Sequence, residues 1–401
     1  MRNITACPAC TNDQLDLLVD MGEIPQSGSL LETPEESYPR LNMMFEYCPR
    51  CGLIRRRLAS PRELRDYTHT NRATGSRQPE YIATIAMELR TRVSNYSDLI
   101  VEVGANDGAF LDVLSRLGFN NLLAVEPSNE CAALCAAKDH LVETVYLDCS
   151  TAESIRRKYG AAAAVVCRHT LEHVPDPLAM LEAMKRLLGD GGSLFVEVPD
   201  ARNITHDLRI HELWEEHLHY FTFENLSLLL KRSNLGVEEA VRMACRGSAN
   251  FLIWCRELST RGEPVGLPAA CSADVAACGS LKARWSELNK RILGGTHDWP
   301  KPVAFIGISH PQSNFLLFSG LGPRIDFLVD DDPAKIGCYA PVPQPVLIIS
   351  SEQLINEHPP GTLVRGAFGY HDWMDRIEKA LVQRHVVVVE PYPPLEETTH
   401  D

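Results

Sequence analysis

The sequence predicts an α/β protein in which a small metal-binding segment precedes two domains built on parallel sheets. Two Cys-x-x-Cys pairs lie near the start, helix and buried-strand patterns alternate from residue 81, and a second alternation follows an alanine-rich helical stretch at 268–293. Such alternation is typical of parallel sheets with helices on both faces. A chain of 401 residues also exceeds one ordinary domain. We predict domains at 1–72, 73–260 and 261–401.

The composition is that of a globular protein, with 45% apolar and 23% charged residues. Lys and Arg number 39 against 53 Asp and Glu, a net charge of −14 that disfavours nucleic-acid and acidic-membrane partners. The sequence shows neither an apolar run of membrane-spanning length nor the hydrophobic core of a signal peptide. We therefore expect a cytoplasmic monomer that binds a small molecule and neither nucleic acid nor membrane.

Four of the thirteen cysteines form two pairs, Cys7-Pro-Ala-Cys10 and Cys48-Pro-Arg-Cys51. Each Cys-x-x-Cys turn places two thiolates on one side of a tight loop, and two turns complete a tetrahedral zinc site. A redox pair, the alternative, needs only one such turn with a strand before it and a helix after it. We predict a structural zinc ion, because four thiolates leave no coordination position open for catalysis. The other nine cysteines are predicted to be structural thiols.

The central region alternates between helices and buried strands. Apolar residues at helical spacing predict a helix at 82–93, and another is predicted at 109–117. The predicted strands start at residues 99, 122, 162 and 193. In the C-terminal region strands are predicted at 303–307, 325–330, 363–368 and 386–390, with helices at 314–318 and 372–383.

A glycine-containing turn follows the first central strand. Parallel sheets bind ligands at the carboxyl ends of their strands, and Gly104 and Gly108 would allow a ligand to approach the backbone closely. Their spacing, with Asn106 and Asp107 inside the turn, differs from the G-x-G-x-x-G of dinucleotide sites. An acidic turn suits a cationic ligand with an amino-acid ammonium group. Glu126, which ends the next strand, can accept hydrogen bonds from both hydroxyls of a ribose.

The stretch Val-Glu-Val-Gly-Ala-Asn-Asp-Gly at 101–108 resembles motif I of class I S-adenosylmethionine-dependent methyltransferases. More narrowly, it resembles the sugar C-methyltransferases of antibiotic deoxysugar pathways. That family has a four-cysteine zinc domain, a class I methyltransferase (Rossmann-like) central domain and a Rossmann-like C-terminal domain that helps enclose a nucleotide-sugar. The resemblance covers nearly the whole chain.

The resemblance implies S-adenosylmethionine as cofactor and assigns residues to it. Glu102, Gly104 and Asp107 would line the methionine end, and Glu126 would hold the ribose. Asn106 and Gly108 complete the turn, and His169 stands where the family usually has an asparagine. For Glu102 the alternative is a satisfied strand carboxylate with no role in binding.

Two later stretches carry candidate catalytic residues. In Arg-His-Thr-Leu-Glu-His-Val-Pro at 168–175, His173 corresponds to a histidine that the family keeps beside the substrate, although it could merely help to cap the next helix. Trp-Glu-Glu-His-Leu-His-Tyr-Phe at 214–221 resembles the family signature Tyr-x-Glu-His-x-x-Tyr-Phe. The resemblance implies that His217 removes a proton next to a ketone, supported by Glu216. Histidine titrates near working pH, and we expect the adjacent carboxylate to raise its basicity.

Besides His169, two single positions and one loop depart from the family pattern. Trp214 replaces a tyrosine whose phenol could donate a hydrogen bond to the enolate. In the stretch 67–71, which resembles the family's Tyr-x-Tyr-x-Ser, Tyr67 remains a catalytic candidate and His69 takes the second tyrosine's place. The C-terminal loop 307–314 lacks the family's lysine. These changes bear on the substrate and leave the cofactor assignment untouched.

The prediction is therefore an S-adenosylmethionine-dependent C-methyltransferase that acts on a nucleotide-linked ketosugar through an enolate, in natural-product biosynthesis. The alternatives are an O-methyltransferase of a sugar or other natural-product hydroxyl, and a binding scaffold without catalysis. A dehydrogenase is disfavoured, because the C-terminal region contains no G-x-G-x-x-G.

Overall fold

The computed structural model describes residues 6–58, 79–245, 248–258, 268–367 and 370–391. It confirms the α/β fold class, with parallel strands forming most of the two larger sheets. The catalytic candidate Tyr67 lies outside these ranges. Among the helices they contain, none combines the length and apolar character needed to cross a membrane.

The described strands, in chain order, are β1 (Asp16–Pro25), β2 (Arg40–Tyr47), β3 (Ile54–Arg57), β4 (Ile100–Val103), β5 (Leu122–Val125), β6 (Leu141–Glu143), β7 (Ala162–Arg168), β8 (Leu188–Pro199), β9 (His219–Tyr220), β10 (Leu235–Cys245), β11 (Ser248–Glu257), β12 (Val303–Ile306), β13 (Phe327–Val329), β14 (Tyr339–Pro341), β15 (Pro345–Ile349), β16 (Thr362–Arg365) and β17 (Val387–Val389). The described helices are α1 (Pro79–Arg92), α2 (Ala109–Arg116), α3 (Asn129–Ala136), α4 (Cys149–Tyr159), α5 (Pro177–Leu187), α6 (Arg202–Thr205), α7 (Phe223–Arg232), α8 (Ala270–Gly294), α9 (His310–Ser319), α10 (Ser351–Asn356) and α11 (His371–Leu381).

The N-terminal sheet is antiparallel, with the order β1-β2-β3-β9. Its fourth strand comes from the middle of the chain: Ile54 pairs with Tyr220 and Arg55 with His219. The backbone N–H of Arg56 also donates to the carbonyl of Leu218 at 3.0 Å. The cysteine segment is therefore joined by hydrogen bonds to the stretch that carries the candidate catalytic histidine.

The central sheet has seven strands in the order β10-β11-β8-β7-β4-β5-β6, and only β11 runs antiparallel to its neighbours. All four residues of β4 are buried, as expected for a parallel strand covered on both faces. The chain runs from β4 outward through β5 and β6 and then crosses back to β7. The carboxyl ends of β4 and β7 therefore flank the switch point where such sheets bind ligands.

The C-terminal sheet has the order β14-β15-β13-β12-β16-β17, parallel except for β14. It shares a hydrophobic core with the N-terminal sheet and α8, in which Phe45, Leu281, Phe305 and Phe315 are almost fully buried. The first and last parts of the chain thus pack together over the central part. The boundaries between the three domains remain a prediction.

One stretch in which the structure differs from the predicted elements is 339–356. There the described chain forms β14, β15 and α10, which the sequence analysis did not predict. Prolines at 341, 343 and 345 interrupt any strand pattern in this stretch. A strand with proline is tolerated at a sheet edge, and β14 is such an edge.

Candidate active site

A cavity of about 1230 Å³ lies at the switch point of the central sheet. Its wall includes Glu102 of β4, His169 after β7 and His217 before β9. Gly28 of the N-terminal segment and His310 at the start of α9 complete it. All three parts of the chain therefore enclose one space.

The turn after β4 has the backbone conformation that its glycines permit. Gly104 and Gly108 both have φ of +75°. A Cβ on Gly104 would lie 2.1 Å from Oγ1 of Thr170, and one on Gly108 would lie 3.1 Å from the His140 ring. From the sequence alone, a ligand is expected at this close approach. In the structure neighbouring protein groups already require both glycines.

Glu126 holds the turn after β4 in place. Its carboxylate accepts hydrogen bonds from the backbone N–H of Asn106 at 2.8 Å and of Ser128 at 2.9 Å. Burial raises the pKa of this carboxyl group, although both hydrogen bonds oppose the shift.

The cofactor candidates divide into two groups around the cavity. Glu102, Gly104, Asn106 and His169 line it, and the structure brings these four together. Asp107, Gly108 and Glu126 are not among the described residues that line it.

A buried carboxylate that the sequence analysis missed organises the floor of the site. Glu197 of β8 is fully buried and accepts hydrogen bonds from Tyr81 at 2.5 Å and Asn250 at 2.8 Å. It also pairs with Nε of Arg168 at 2.7 Å and Nε2 of His169 at 2.9 Å. The available signal was one glutamate inside an otherwise apolar strand. Its four partners come from three separate segments, so no local pattern could identify them.

This arrangement keeps His169 positively charged. Partial desolvation lowers the pKa of the imidazole, but Glu197 and Glu172 outweigh it and raise the pKa to about 10. Burial likewise opposes ionisation of Glu197, but His169 and Arg168 hold its pKa far below the ordinary value. His169 also has φ of 47°, an uncommon conformation for a residue with a side chain.

The two candidate catalytic histidines stand together in the cavity wall. The rings of His173 and His217 meet edge to face, with 4.7 Å between centroids. Trp214 packs against His217 at 4.9 Å and against His310 at 4.6 Å. The Tyr220 hydroxyl is occupied by the backbone of Trp214, accepting from its N–H at 2.7 Å and donating to its carbonyl at 3.0 Å. Tyr220 therefore supports the loop.

The expected effect of Glu216 on His217 is wrong in this structure. Burial lowers the pKa of His217 well below its ordinary value, and the positive charge of His169 lowers it further. The carboxyl group of Glu216 has its own pKa raised to about 7, by burial and by Glu215.

Glu216 contacts the site through its backbone instead. Its carbonyl accepts a hydrogen bond from Nδ1 of His173 at 3.0 Å. Neighbouring residues in the sequence therefore do not form the expected carboxylate–imidazole pair, because the loop directs the two side chains differently.

A hydrogen-bonded group joins the three parts of the chain at the cavity rim. The Ser27 hydroxyl donates to the Glu215 carboxylate, with distances of 2.8 and 2.9 Å to its two oxygens, and lies 2.9 Å from Nδ1 of His310. Burial lowers the pKa of His310 to about 4, so its imidazole is neutral. The C-terminal loop that departs from the family pattern thus contacts the signature stretch through Ser27.

The four candidate metal ligands of the N-terminal segment converge. Cys7 and Cys51 have their sulfurs 3.6 Å apart, and Cys10 and Cys48 have theirs 3.5 Å apart. All four sulfurs lie within 4.8 Å of one another. Hydrogen bonds from Cys10 and Cys51 lower the pKa of Cys48 far below its ordinary value, which favours a thiolate. This donor set fits a metal ion that prefers sulfur ligands.

A family profile described as a methyltransferase domain matches residues 74–240. That range contains the glycine turn, the charged His169 and the paired histidines of the cavity. Residues 74–240 are a class I S-adenosylmethionine-dependent methyltransferase domain. The central sheet described above supplies the fold of this methyltransferase domain.

Relatives of known activity resemble parts of the chain. It is 27% identical over 243 residues to the C-methyltransferase NovU of Streptomyces niveus, covering 59% of this chain and 57% of that protein. It is 32% identical over 98 residues to a ubiquinone biosynthesis O-methyltransferase of Xanthomonas campestris, covering 24% of this chain and 41% of that protein. The chain therefore aligns with less than two thirds of either relative.

Solved methyltransferase structures show a weaker likeness. Magnesium protoporphyrin IX methyltransferase of Synechocystis with bound SAM is 12% identical, with a TM-score of 0.35, and the match covers 45% of this chain and 80% of that one. The CcbJ methyltransferase of Streptomyces caelestis is 12% identical with a TM-score of 0.36, covering 44% and 90% of the two chains. The domain assignment rests on the family profile and the strand order.

Proposed function

We propose that the protein is an S-adenosylmethionine-dependent C-methyltransferase that acts on a nucleotide-linked ketosugar through an enolate, in natural-product biosynthesis. The observation that carries the proposal is the pair His173 and His217, which faces the cavity lined by the methyltransferase turn. Similarity to a C-methyltransferase supports methylation of carbon. A cavity of about 1230 Å³ can admit a ligand larger than the cofactor alone.

The residues around the turn suit S-adenosylmethionine. The carboxylate of Glu102, which lines the cavity, would attract the ammonium group. The Glu126 carboxylate suits a ribose diol, and Gly104, Asp107, Gly108 and Asn106 form the turn between them. When bound, the cofactor supplies an electrophilic methyl group. Orientation and exclusion of water are the tasks left to the protein.

His217 is proposed as the general base. Its lowered pKa keeps the imidazole neutral at working pH, so a ring nitrogen can accept the proton next to the ketone. His173 is held by its hydrogen bond to the Glu216 carbonyl and would orient the substrate beside His217. Glu216 is therefore proposed to support catalysis through its backbone. Tyr67 stays a candidate on the sequence alone.

A structural zinc ion is proposed at Cys7, Cys10, Cys48 and Cys51. The convergence of four sulfurs supports this ligand set. The segment after Cys51 continues directly into β3, which pairs with β9. Metal binding would therefore stabilise the sheet that holds the stretch following His217.

O-methylation is the second candidate, and Trp214 favours it. Its indole occupies the position where the related family has a phenol, so that donor to an enolate oxygen is missing. A neutral His217 could instead deprotonate a hydroxyl group. The similarity to ubiquinone biosynthesis O-methyltransferases points the same way.

The test is incubation of the full chain with S-adenosylmethionine and a panel of nucleotide 4-ketosugars, followed by mass spectrometry and carbon-13 NMR. A methyl group on a ring carbon supports the proposal, and one on oxygen supports the second candidate. His217→Asn should abolish transfer with S-adenosylhomocysteine binding intact, whereas His297→Asn, at an exposed position, should not. Absence of transfer across the panel would count against the ketosugar and favour the binding scaffold.

A further inference from the structure

One carboxylate and two imidazoles converge beside the active-site cavity, and both imidazoles belong to its wall. Glu172, His173 and His217 each place one possible ligand atom within 4.8 Å of the others. The first two residues belong to a short 3-10 turn after β7, and His217 lies in the loop before β9. The backbone N–H of Leu218 donates to the Glu172 carbonyl at 2.8 Å, which ties the two segments together.

The Glu172 carboxylate is buried without the hydrogen bonds that a buried charge requires. The residue is 1% exposed, and neither carboxylate oxygen has a hydrogen-bond partner among the described residues. Its ion pair with Nδ1 of His169 is 3.5 Å long, and that imidazole lies closer to Glu197, at 2.9 Å. Buried charges are usually paired or bound to metal ions. The carboxylate therefore has capacity for a cation.

His173 makes the kind of hydrogen bond that metal-binding histidines make. Its Nδ1 donates to the Glu216 carbonyl, which leaves the lone pair of the ring on Nε2. Histidines that bind metals commonly donate their other ring nitrogen to a backbone carbonyl in this way. His217 stands edge to face against this ring, at 4.7 Å between centroids.

We propose that Glu172, His173 and His217 bind a divalent transition-metal ion of the zinc, cobalt or nickel class, at a site separate from the four cysteines. Two imidazoles and one carboxylate suit these ions. Three protein ligands leave a coordination position open to water or to an oxygen of the substrate. The cavity gives the ion a route to the site.

The consequence rests on the proposed function. The lone pair that would bind the ion on His217 cannot accept a proton from the substrate at the same time. A bound ion therefore inhibits methyl transfer, and a chelator that removes it restores the rate.

Cobalt titration of the full chain tests the site independently of activity. Cobalt at the cysteines gives a sulfur-to-metal charge-transfer band, whereas cobalt at the new site gives visible absorption without that band. Glu172→Gln should weaken this sulfur-free binding at least about tenfold, the loss typical even for partners outside the ligand set. The matched control Glu88→Gln changes an exposed helix residue and should bind as the wild type does.

Two outcomes would overturn the site. One is the absence of visible cobalt absorption that lacks the sulfur-to-metal band. The other is a cobalt affinity of Glu172→Gln equal to that of Glu88→Gln. His217→Asn, checked for folding by circular dichroism, provides a second ligand variant and should show the same loss.

Activity then tests the consequence separately. If cobalt binds as expected but leaves the methylation rate unchanged, inhibition and the assignment of His217 as base are overturned while the metal site stands. If no panel substrate is methylated without metal, the proposed function fails and the cobalt spectrum still decides the site.

Discussion

Replacing Glu197 with glutamine removes a charge from a fully buried position and keeps the side-chain size. The glutamine amide would face the hydroxyl and amide donors of Tyr81 and Asn250, which now bind a carboxylate at 2.5 and 2.8 Å. Arg168 would lose its ion pair of 2.7 Å, and His169 one of 2.9 Å. We expect a large loss of stability in the methyltransferase domain.

The magnitude follows from burial. Removing one partner of a buried ion pair costs about 3–5 kcal/mol, and we choose the lower end, about 3 kcal/mol. Arg168 supports that choice, since 11% of its side chain is exposed and its guanidinium carbon lies 4.8 Å from the Phe110 ring centroid. The His169 pair adds at most about 1 kcal/mol, because 41% of that side chain is exposed. At about 2–4 °C per kcal/mol, Tm should fall by about 6–12 °C.

The pH dependence has a defined sign. The folded-state pKa of His169, raised to about 10, exceeds its unfolded value near ~6.5, so its stabilisation is lost as pH rises between them. The lowered pKa of Glu197 gives stabilisation that is lost as pH falls below ~4.3. The difference between wild type and Glu197→Gln should therefore be largest near pH ~5–6 and smaller at pH ~9.

Thermal unfolding followed by circular dichroism at both pH values provides the assay. Glu153→Gln is the matched control, because that side chain is 49% exposed and forms a surface ion pair with Arg186. Tyr81→Phe removes one donor and should cost about 1 kcal/mol. A Tm for Glu197→Gln equal to that of the control would contradict the buried ion pair. A stability difference from wild type that does not become smaller at high pH would contradict the role of His169.

Two further predictions concern the turn and the metal. Gly104→Ala should destabilise the domain more than Gly191→Ala, since both have positive φ but only Gly104 has a threonine hydroxyl 2.1 Å from the added Cβ. Equal melting temperatures of the two variants would contradict this. Because Gly104 lines the cavity, we also expect the affinity for S-adenosylhomocysteine to fall at least about tenfold, which corresponds to about 1.4 kcal/mol. Cys48→Ser should release the bound metal and increase hydrogen exchange in residues 214–221. The control Cys149→Ser should change neither the metal content nor the exchange. Unchanged exchange in 214–221 after metal loss would show that the two segments are not coupled.

Local patterns predicted the elements that carry the cofactor turn. The helix at 82–93 is observed as α1, and the buried strand beginning at residue 99 is observed as β4. Prediction succeeded there because hydrophobic period and glycine conformation act over a few residues. It failed at β9, two residues long, whose strand character depends on pairing with a segment more than 160 positions earlier.

The candidate site shows the same division. Motif resemblance identified His217 and His173, and the structure places them in one cavity. The roles of Glu197 and Glu172 could not be predicted from local sequence, because they depend on burial and on partners from distant segments. It also misjudged the basicity of His217, whose neighbour in sequence, Glu216, is not the residue that sets its environment.

The sequence by itself determined the α/β class, the methyltransferase turn and the four cysteines, since each depends on short-range periodicity or spacing. Only the tertiary structure decided which charges are buried together and which part of the chain closes the cavity. The physical reason is that pKa values and ion-pair energies depend on desolvation and on distances across the fold. Neither quantity is encoded in the order of neighbouring residues.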